Sequence, residues 1–314
     1  MITVSCVIPT LNEEKNIAQL LESIKDQEFD EDIILNDIVI IDNGSKDNTI
    51  SIARNLGARV LIKPELTIGG LRNYGAETCS GDIIFFLDAD NILSEHVINN
   101  IVRKYVQLDC GAIGVRLRPY NIETWVQETW SYHLNNNVTG IRRVKAIGSG
   151  AFAIKRDLFY EIGGFNEDLI SGEDTDLSRR INKLGYPIYL DAEEVVYNTG
   201  FPRTLWDFVK REVWHGDSIN SLILHKKIDL LTLYIFLSLG MLMLGILSCL
   251  GVFSRRFLLL SFAVITMPST IKSFSKRKKI DLMYLKLNIL YVIYILCRTL
   301  SLLKMSKKSV RSVP

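Results

Sequence analysis

The stretch GDIIFFLDADN, residues 81–91, restricts the possible folds more than any other part of the chain. Ile83, Ile84, Phe85, Phe86 and Leu87 form an apolar run without polar alternation, the pattern of a short strand buried on both faces of a parallel sheet. Asp88 and Asp90 follow at once, separated only by Ala89. In an extended segment, side chains two positions apart point to the same side. Two hard oxygen ligands at the carboxyl end of a buried strand suit a divalent cation such as Mg2+ or Mn2+ and leave positions open for phosphate oxygens. A solvated acidic turn fits the same triplet, so its meaning depends on what surrounds it.

The flanking sequence repeats strand and helix. Ile2 to Ile8 reads as a strand stopped by Pro9, after which Thr10 and Asn12 can cap a helix carrying Ile17, Leu20, Leu21 and Ile24 on one face. Ile38 to Ile41 is a second strand that ends in Asp42-Asn43-Gly44-Ser45. A helix from Asn48 to Leu56 is closed by Gly57, and Ala58 to Ile62 reads as a third strand. Gly69-Gly70 and Arg72-Asn73 open the helix that leads into 83–87. Units of this size predict an α/β, doubly wound, parallel sheet with its ligand crevice at the strands' carboxyl ends, where Pro9, Asp42 and Asp88 all fall. Asp42 has the chemistry of a turn former and equally of an acceptor for a base imide or a ribose hydroxyl. Arg72 suits either a phosphate or an ion pair with Glu77, and the neighbouring glycines favour the ligand because they let backbone approach it closely.

Further along, Ala112 to Val115 and Ala151 to Lys155 read as strands, whereas Arg116 to Ala146 lacks periodicity. Trp125, Trp130, Tyr132 and His133 within it offer a sugar-stacking surface or simply core. Asn137-Val138-Thr139 has the form of a glycosylation sequon, in a domain expected to be cytosolic and unmodified. Glu173 and Asp174 sit at the start of a helix reaching Leu184, where the helix dipole favours acidic residues whatever their function. Gly185 stops that helix before a strand from Tyr186 to Leu190. His96 and His133 read as ordinary surface or core residues.

Charge divides the chain. Residues 1–200 hold 19 Lys and Arg against 30 Asp and Glu, and residues 201–314 hold 18 against 5. An acidic front and a basic, apolar rear point to a membrane and away from nucleic acid. Leu230 to Phe253 is long enough to cross a bilayer, Phe257 to Ile271 is a second span flanked by Arg255, Arg256 and Lys272, and a turn at Ser254-Arg255-Arg256 joins them as a hairpin. The third apolar stretch, 282–303, contains Lys286 and Arg298 and either spans or lies at the surface. Leu205, Trp206, Val209 and Val213, beside Lys210 and Arg211, mark either an interfacial helix or a packing helix. The basic cluster Lys276-Arg277-Lys278-Lys279 belongs inside by the positive-inside rule, as do Lys304, Lys307, Lys308 and Arg311, which favours an interfacial or re-entrant third stretch ahead of Ser312. His225-Lys226-Lys227 marks the change of character. Cys6, Cys79, Cys110, Cys249 and Cys297 are scattered without a C-x-x-C pair, which predicts a reducing compartment and neither disulfides nor a zinc site. The start MITVSCVIPT has no basic segment of the signal-sequence kind.

Pro9-Thr10-x-Asn12-Glu13, Asp42-x-Gly44-Ser45, Gly70-x-Arg72-Asn73, Asp88-Ala89-Asp90 and Gly172-Glu173-Asp174 occur in the order and approximate spacing of the inverting family 2 glycosyltransferases, which the chain resembles over residues 2–216. The resemblance implies a GT-A fold, binding of a nucleotide-diphosphate sugar, and Mg2+ or Mn2+ as cofactor. On it, Pro9, Thr10, Asn12, Glu13, Asp42, Gly70, Arg72, Asp88 and Arg211 become donor-binding candidates. Asp90 becomes the more direct metal ligand and Asp88 a second one or a ribose contact. Gly164, Phe165, Glu173 and Trp214 fall on the acceptor side, and Asp174 matches the catalytic base. Where family members often carry a histidine after the next strand, this chain has Tyr197-Asn198. Val213-Trp214 stands in place of their arginine-tryptophan pair.

These readings predict a cytosolic catalytic domain over 1–202, an amphipathic interface segment over 203–227 and a membrane region over 228–314, in a multi-pass protein of the cell membrane. The expected activity is metal-dependent, inverting sugar transfer to a hydroxyl, with a lipid-linked saccharide as acceptor. A polyprenyl-phosphate acceptor and a non-catalytic membrane scaffold of the same fold are the alternatives. A sugar nucleotidyltransferase would need a glycine-rich, arginine-containing loop after the first strand, where Pro9-Thr10-Leu11-Asn12-Glu13 stands.

Overall fold

The computed structural model describes residues 1–134, 139–224 and 230–301. Asn137 and Val138 of the sequon, His225-Lys226-Lys227 and the tail from Lys304 to Ser312 lie outside the described residues. The described residues divide into two compact units, one formed by 1–121 and 139–200, the other by 122–134, 201–224 and 230–301. Residues 122–134 therefore belong with the C-terminal part.

The first unit is a sheet clothed by helices. In chain order it contains β1 (Ile2–Thr10), α1 (Ile17–Lys25), β2 (Ile33–Asp42), α2 (Thr49–Asn55), β3 (Arg59–Ile62), α3 (Ile68–Thr78), β4 (Ile83–Leu87), β5 (Asn91–Leu93), α4 (Val97–Leu108) and β6 (Ala112–Pro119). After the second unit's α5 (Trp125–Leu134) come β7 (Ile141–Val144), β8 (Ala151–Lys155), α6 (Arg156–Glu161), α7 (Glu173–Lys183) and β9 (Ile188–Asn198). The strand order is β3-β2-β1-β4-β8-β6-β9-β5, with β7 paired to β9. The first four strands run parallel, as strand-helix repeats require. Beyond β4 the sheet becomes mixed, because β8 pairs antiparallel with β4 and β6 antiparallel with β8.

Register fixes the functional edge. Thr10 lies opposite Asp42, and Leu87 lies opposite Ala151. The carboxyl ends of β1, β2 and β4 thus share one edge with the amino end of β8. The strand-four run is fully covered, with Ile84, Phe85, Phe86 and Leu87 at 0 % exposure. Phe85 and Leu87 face a core shared with α1 and α4, and Ile84 and Phe86 face one with α3, α6 and α7. Each residue of β4 removed from water on both faces contributes about 1.5–3 kcal/mol, enough to anchor the edge that carries the acids.

Several local expectations change. β1 runs through Pro9 to Thr10. Thr10 and Asn12 do not cap α1, which starts after Asn16 without a side-chain cap. The 116–146 stretch yields α5 and β7, and β9 runs on from 190 to Asn198.

The second unit holds α5, α8 (Leu205–Leu224), α9 (Leu230–Cys249), α10 (Arg256–Arg277) and α11 (Leu282–Ser301). α10 and α11 are each long and apolar enough to cross a membrane, and α9 is an uncharged, apolar helix of 20 residues. α9 and α10 form a hairpin in which the Tyr234 hydroxyl donates to Val264 O at 2.8 Å and Ser261 to Met241 O at 2.7 Å. Phe208 and Glu212 of α8 are buried, whereas Leu205 and Trp206 are exposed. α8 therefore packs through a face other than its Leu205-Trp206 side. Trp130 is core, wedged against Phe208.

Candidate active site

At the β1–β2 edge, two loops are knitted together before any ligand arrives. Asp42 is fully buried and accepts from the Gly44 and Ser45 N–H groups on Oδ1, at 2.9 and 2.7 Å, and from the Ser45 and Thr10 hydroxyls on Oδ2, at 2.6 and 3.1 Å. A carboxylate has about four acceptor positions, and these are filled. Asp42 thus shapes the loop, and the base or ribose contact considered for it would have to displace one of these donors. Asn12, at φ 56°, accepts from the Lys46 N–H at 2.9 Å, and its own N–H donates to Ser45 Oγ at 2.8 Å. Glu13 accepts from the Asn16 side-chain amide at 2.7 Å, and burial holds its carboxyl above the ordinary range.

After β4 the chain leaves the strand and turns at Ala89 and Asp90, and the two acids take different partners. Asp88 meets the Arg72 guanidinium at 2.7 Å. Asp90 accepts from Asn198 Nδ2 at 2.6 Å, at the position where a histidine is expected from the resemblance. Its pKa is pushed up to about 7, first by burial and then by the negative charges of Asp88 and Glu13, against the pull of hydrogen bonds from its own backbone and Asn198. Gly200, absent from the sequence-based candidates, backs this carboxylate. A Cβ there would stand 2.1 Å from Asp90 Oδ2.

The donor set at Asp90 fits a divalent cation. Acids that raise one another's pKa are stabilised when a cation is placed among them. Among the described residues no three His, Cys, Asp or Glu side chains group as a complete metal cage. A cation held here takes Asp90 with Asp88 at most, and completes its shell with water and ligand oxygens, in the manner of Mg2+ beside phosphates.

Arg72 connects this edge to α7. It is 1 % exposed and donates from Nη2 to Asp88 and from Nη1 to Glu173 Oε1 at 2.9 Å, and the Ser149 hydroxyl donates to the same Oε1 at 3.1 Å. Its ion-pair partners are two carboxylates 16 and 101 residues away in place of Glu77. Glu173 is thereby committed to Arg72. Asn73 holds the next turn: its amide donates to Phe165 O at 2.9 Å, and its Oδ1 accepts from the Phe165 N–H at 2.8 Å. Gly164 lies in this turn, and the Phe165 ring is core among Phe86, Phe152 and Phe159. Gly69 serves the same packing: a Cβ there would approach the Phe165 Cβ to 3.2 Å.

Asp174, beside Glu173, is half-buried at the start of α7. Its Oδ1 accepts from the Thr175 N–H at 2.6 Å and the Thr175 hydroxyl at 3.2 Å, which leaves Oδ2 as the atom to take a proton. Burial, then the charge of Glu173, pushes its pKa up to about 6 although Arg72 and the Thr175 bonds oppose the shift. A carboxyl with these features is poised as a general base near neutral pH. Gly148 stands next to Asp174 and Gly150 next to Asp88, so the 148–150 loop runs from one acid to the other.

Of the remaining candidates, Pro9 lies at the β1 edge opposite Ile41. Gly70 donates its N–H to Thr67 Oγ1, the cap of α3, at 3.2 Å. Arg211 and Trp214 are on α8 in the second unit, where Arg211 lies over the Phe201 ring and Trp214 against His215.

Comparison with known proteins adds an independent line. Residues 5–163 match the model of Glycosyl transferase family 2. The O-antigen chain rhamnosyltransferase RfbN of Salmonella typhimurium is 28 % identical over 211 residues, which cover 62 % of this chain and 65 % of that protein. The glycosyltransferase AglE of Haloferax volcanii is 29 % identical over 198 residues, 59 % of this chain and 63 % of that one. The chain spans less than two thirds of the length of these curated relatives. Among solved structures, the mannosyltransferase PcManGT of Pyrobaculum calidifontis, in complex with GDP-Man and Mn2+, shares the fold with a TM-score of 0.62 at 17 % identity, over 96 % of this chain and 88 % of that chain. Just over half of the sequence lies within the family match, and the chain belongs to glycosyl transferase family 2.

Proposed function

We propose that this protein is a membrane-anchored, metal-dependent glycosyltransferase that moves a sugar from a nucleotide-diphosphate donor to a hydroxyl of a lipid-linked saccharide, with inversion, on the cytosolic face. One observation carries the reading: Arg72 ties the acid at the end of β4 to the residue beside Asp174, setting a cation-suited carboxylate edge and a raised-pKa base on one rigid frame. Asp174 Oδ2 takes the proton of the acceptor hydroxyl as its oxygen attacks the anomeric carbon from the face opposite the leaving group. A single displacement of this kind inverts the configuration. Asp90 and Asp88 would hold Mg2+ or Mn2+, which when bound neutralises charge on the departing diphosphate. Thr10, Asn12, Glu13 and Asp42 keep the donor edge in shape. The apolar helices α10 and α11 supply the anchor, and an anchored enzyme meets a lipid-linked acceptor in the plane of the bilayer.

The test is a screen of nucleotide sugars for Mn2+- or Mg2+-dependent release of nucleoside diphosphate by the full chain. Chelation, and separately Asp90→Asn, is expected to reduce release to background. Full release in chelator would contradict the metal assignment. Gly200→Ala removes no side chain from the site but drives the Asp90 carboxylate aside, and misplacement by about 1 Å can cost about 10²-fold in rate. Its release rate should fall by that order, and an unchanged rate would remove Asp90 from the chemistry.

A further inference from the structure

Asn198, the last residue of β9, is 8 % exposed and has both of its side-chain polar atoms committed. Its amide nitrogen donates to Asp90 Oδ1 at 2.6 Å and to Asn91 Oδ1 at 2.9 Å, and its Oδ1 accepts from the Gly200 N–H at 3.0 Å. An amide has two N–H donors, so both are spent, and the group cannot turn without losing a bond. The strand pairing behind it is equally fixed. Asn91 lies opposite Asn198 between β5 and β9, is fully buried, and donates from its own amide to Gly150 O. The next residue, Thr199, donates its N–H to Asp90 O at 2.9 Å and its hydroxyl to Asn16 Oδ1 at 3.0 Å. Two successive residues thus hold the backbone of Asp90 and one of its two carboxylate oxygens. The other oxygen, Oδ2, takes no hydrogen bond from another residue among the described residues and lies in the room left by Gly200.

We infer that Asn198 is a positioning residue that confines Asp90 to a single ligating oxygen, Oδ2, and thereby makes the site prefer Mg2+ or Mn2+ to Ca2+. Ca2+ takes six to eight oxygens and often both from one carboxylate, whereas Mg2+ is satisfied by one or two carboxylates and keeps several waters. A carboxylate whose Oδ1 is held by an amide N–H offers only Oδ2, because turning Oδ1 onto a cation breaks a charge-assisted hydrogen bond. The amide oxygen of Asn198 is spent on Gly200, so the residue acts through Asp90 and is not itself a ligand. Partners of this kind, one step behind a ligand, fix its orientation and tune what it binds. The inference deepens the proposed function and rests on it in one respect, that a divalent cation binds at Asp90.

The experiment titrates Mn2+ into the full chain in neutral detergent, reads free Mn2+ by electron paramagnetic resonance, and then displaces the bound Mn2+ with Ca2+. Wild type should hold Mn2+ in clear preference to Ca2+. Asn198→Leu, which keeps the branched shape and loses the amide, and Asn198→Ala should each weaken Mn2+ binding about tenfold, the lower end of what such a partner is worth. Ca2+ binding should hold or rise, because Oδ1 is freed, so the preference shrinks by the same factor. Either variant suffices if the other does not fold. Asn91→Ala leaves the bond from Asn198 to Asp90 in place and should keep the preference. An unchanged preference in the Asn198 variants would overturn the inference. So would an equal loss of both cations, the mark of a purely structural role, or the same collapse of preference in Asn91→Ala. Mn2+ held no better by wild type than by Asp90→Asn would contradict the metal reading itself and take the inference with it. Because the assay uses no nucleotide sugar, a chain that transfers no sugar can still pass it, and one that transfers sugar can still fail.

Discussion

Arg72→Leu is expected to lower the thermal midpoint of the full chain by about 10 °C, because removing one partner of a buried ion pair costs about 3–5 kcal/mol and each kcal/mol is worth about 2–4 °C in a unit of this size. Glu173, with 7 % of its side chain exposed, would keep only the Ser149 hydroxyl, and Asp88 would lose its guanidinium. The loss comes mainly from stranded charge, so neutralising the stranded partner should undo part of it. Glu173→Gln in the Arg72→Leu background should therefore be less destabilised than the two single effects summed, by more than about 0.5 kcal/mol of coupling. Thermal unfolding of the four proteins in the cycle decides the matter. An unchanged midpoint for Arg72→Leu would mean that the bridge does not hold the two halves of the site together.

The parts of this fold legible in the sequence are those whose signal is local. Ile83 to Leu87 is uniformly apolar because both faces of β4 are covered, and Ile17, Leu20, Leu21 and Ile24 keep helical spacing because α1 buries one stripe. α5 hid for the opposite reason: Gln127, Thr129 and Ser131 are buried alongside Val126 and Trp130, so polar residues interrupt its apolar period. β7 reads Ile-Arg-Arg-Val at the margin of the sheet, largely exposed, and carries no pattern. The reversal of direction at β8 depends on pairing between distant strands, Ile83 with residue 155 at one end and Leu87 with 151 at the other, which no short window reports.

The site divides in the same way. Asp88, Asp90 and Asp174 stand at the ends of elements, where strand and helix boundaries announce them. Their partners do not. Arg72 finds Glu173 across 101 residues, Asn198 reaches Asp90 across 108, and Gly200 is revealed only by the absence of room for a Cβ. Other contacts are equally out of reach of a short window: Phe165 packs in the core and Glu173 is the counter-ion of Arg72, while Asp42 organises its own turn. Arg298, which in the sequence argued for a surface position of the 282–303 stretch, is matched by Glu212. Lys286 is likewise matched by Glu128 at 2.8 Å.

Asp174→Asn tests the central claim most directly. A base works deprotonated, so with the Asp174 pKa raised to about 6 the wild-type transfer rate should climb as pH rises through about 6 and level off above it. Asparagine preserves size and can still accept from Thr175, but it cannot take a proton. Transfer should fall by about 10²–10⁴-fold and lose the step near pH 6, while nucleoside diphosphate and metal bind as before. An acceptor that attacks through an ionised phosphate oxygen has no proton to lose and would be nearly indifferent to the change. The measurement is the transfer rate of Asp174→Asn across pH 5–8 beside its affinity for the nucleoside diphosphate. A loss of that size with unchanged affinity is the predicted result, and a near-normal rate would contradict hydroxyl transfer by this site.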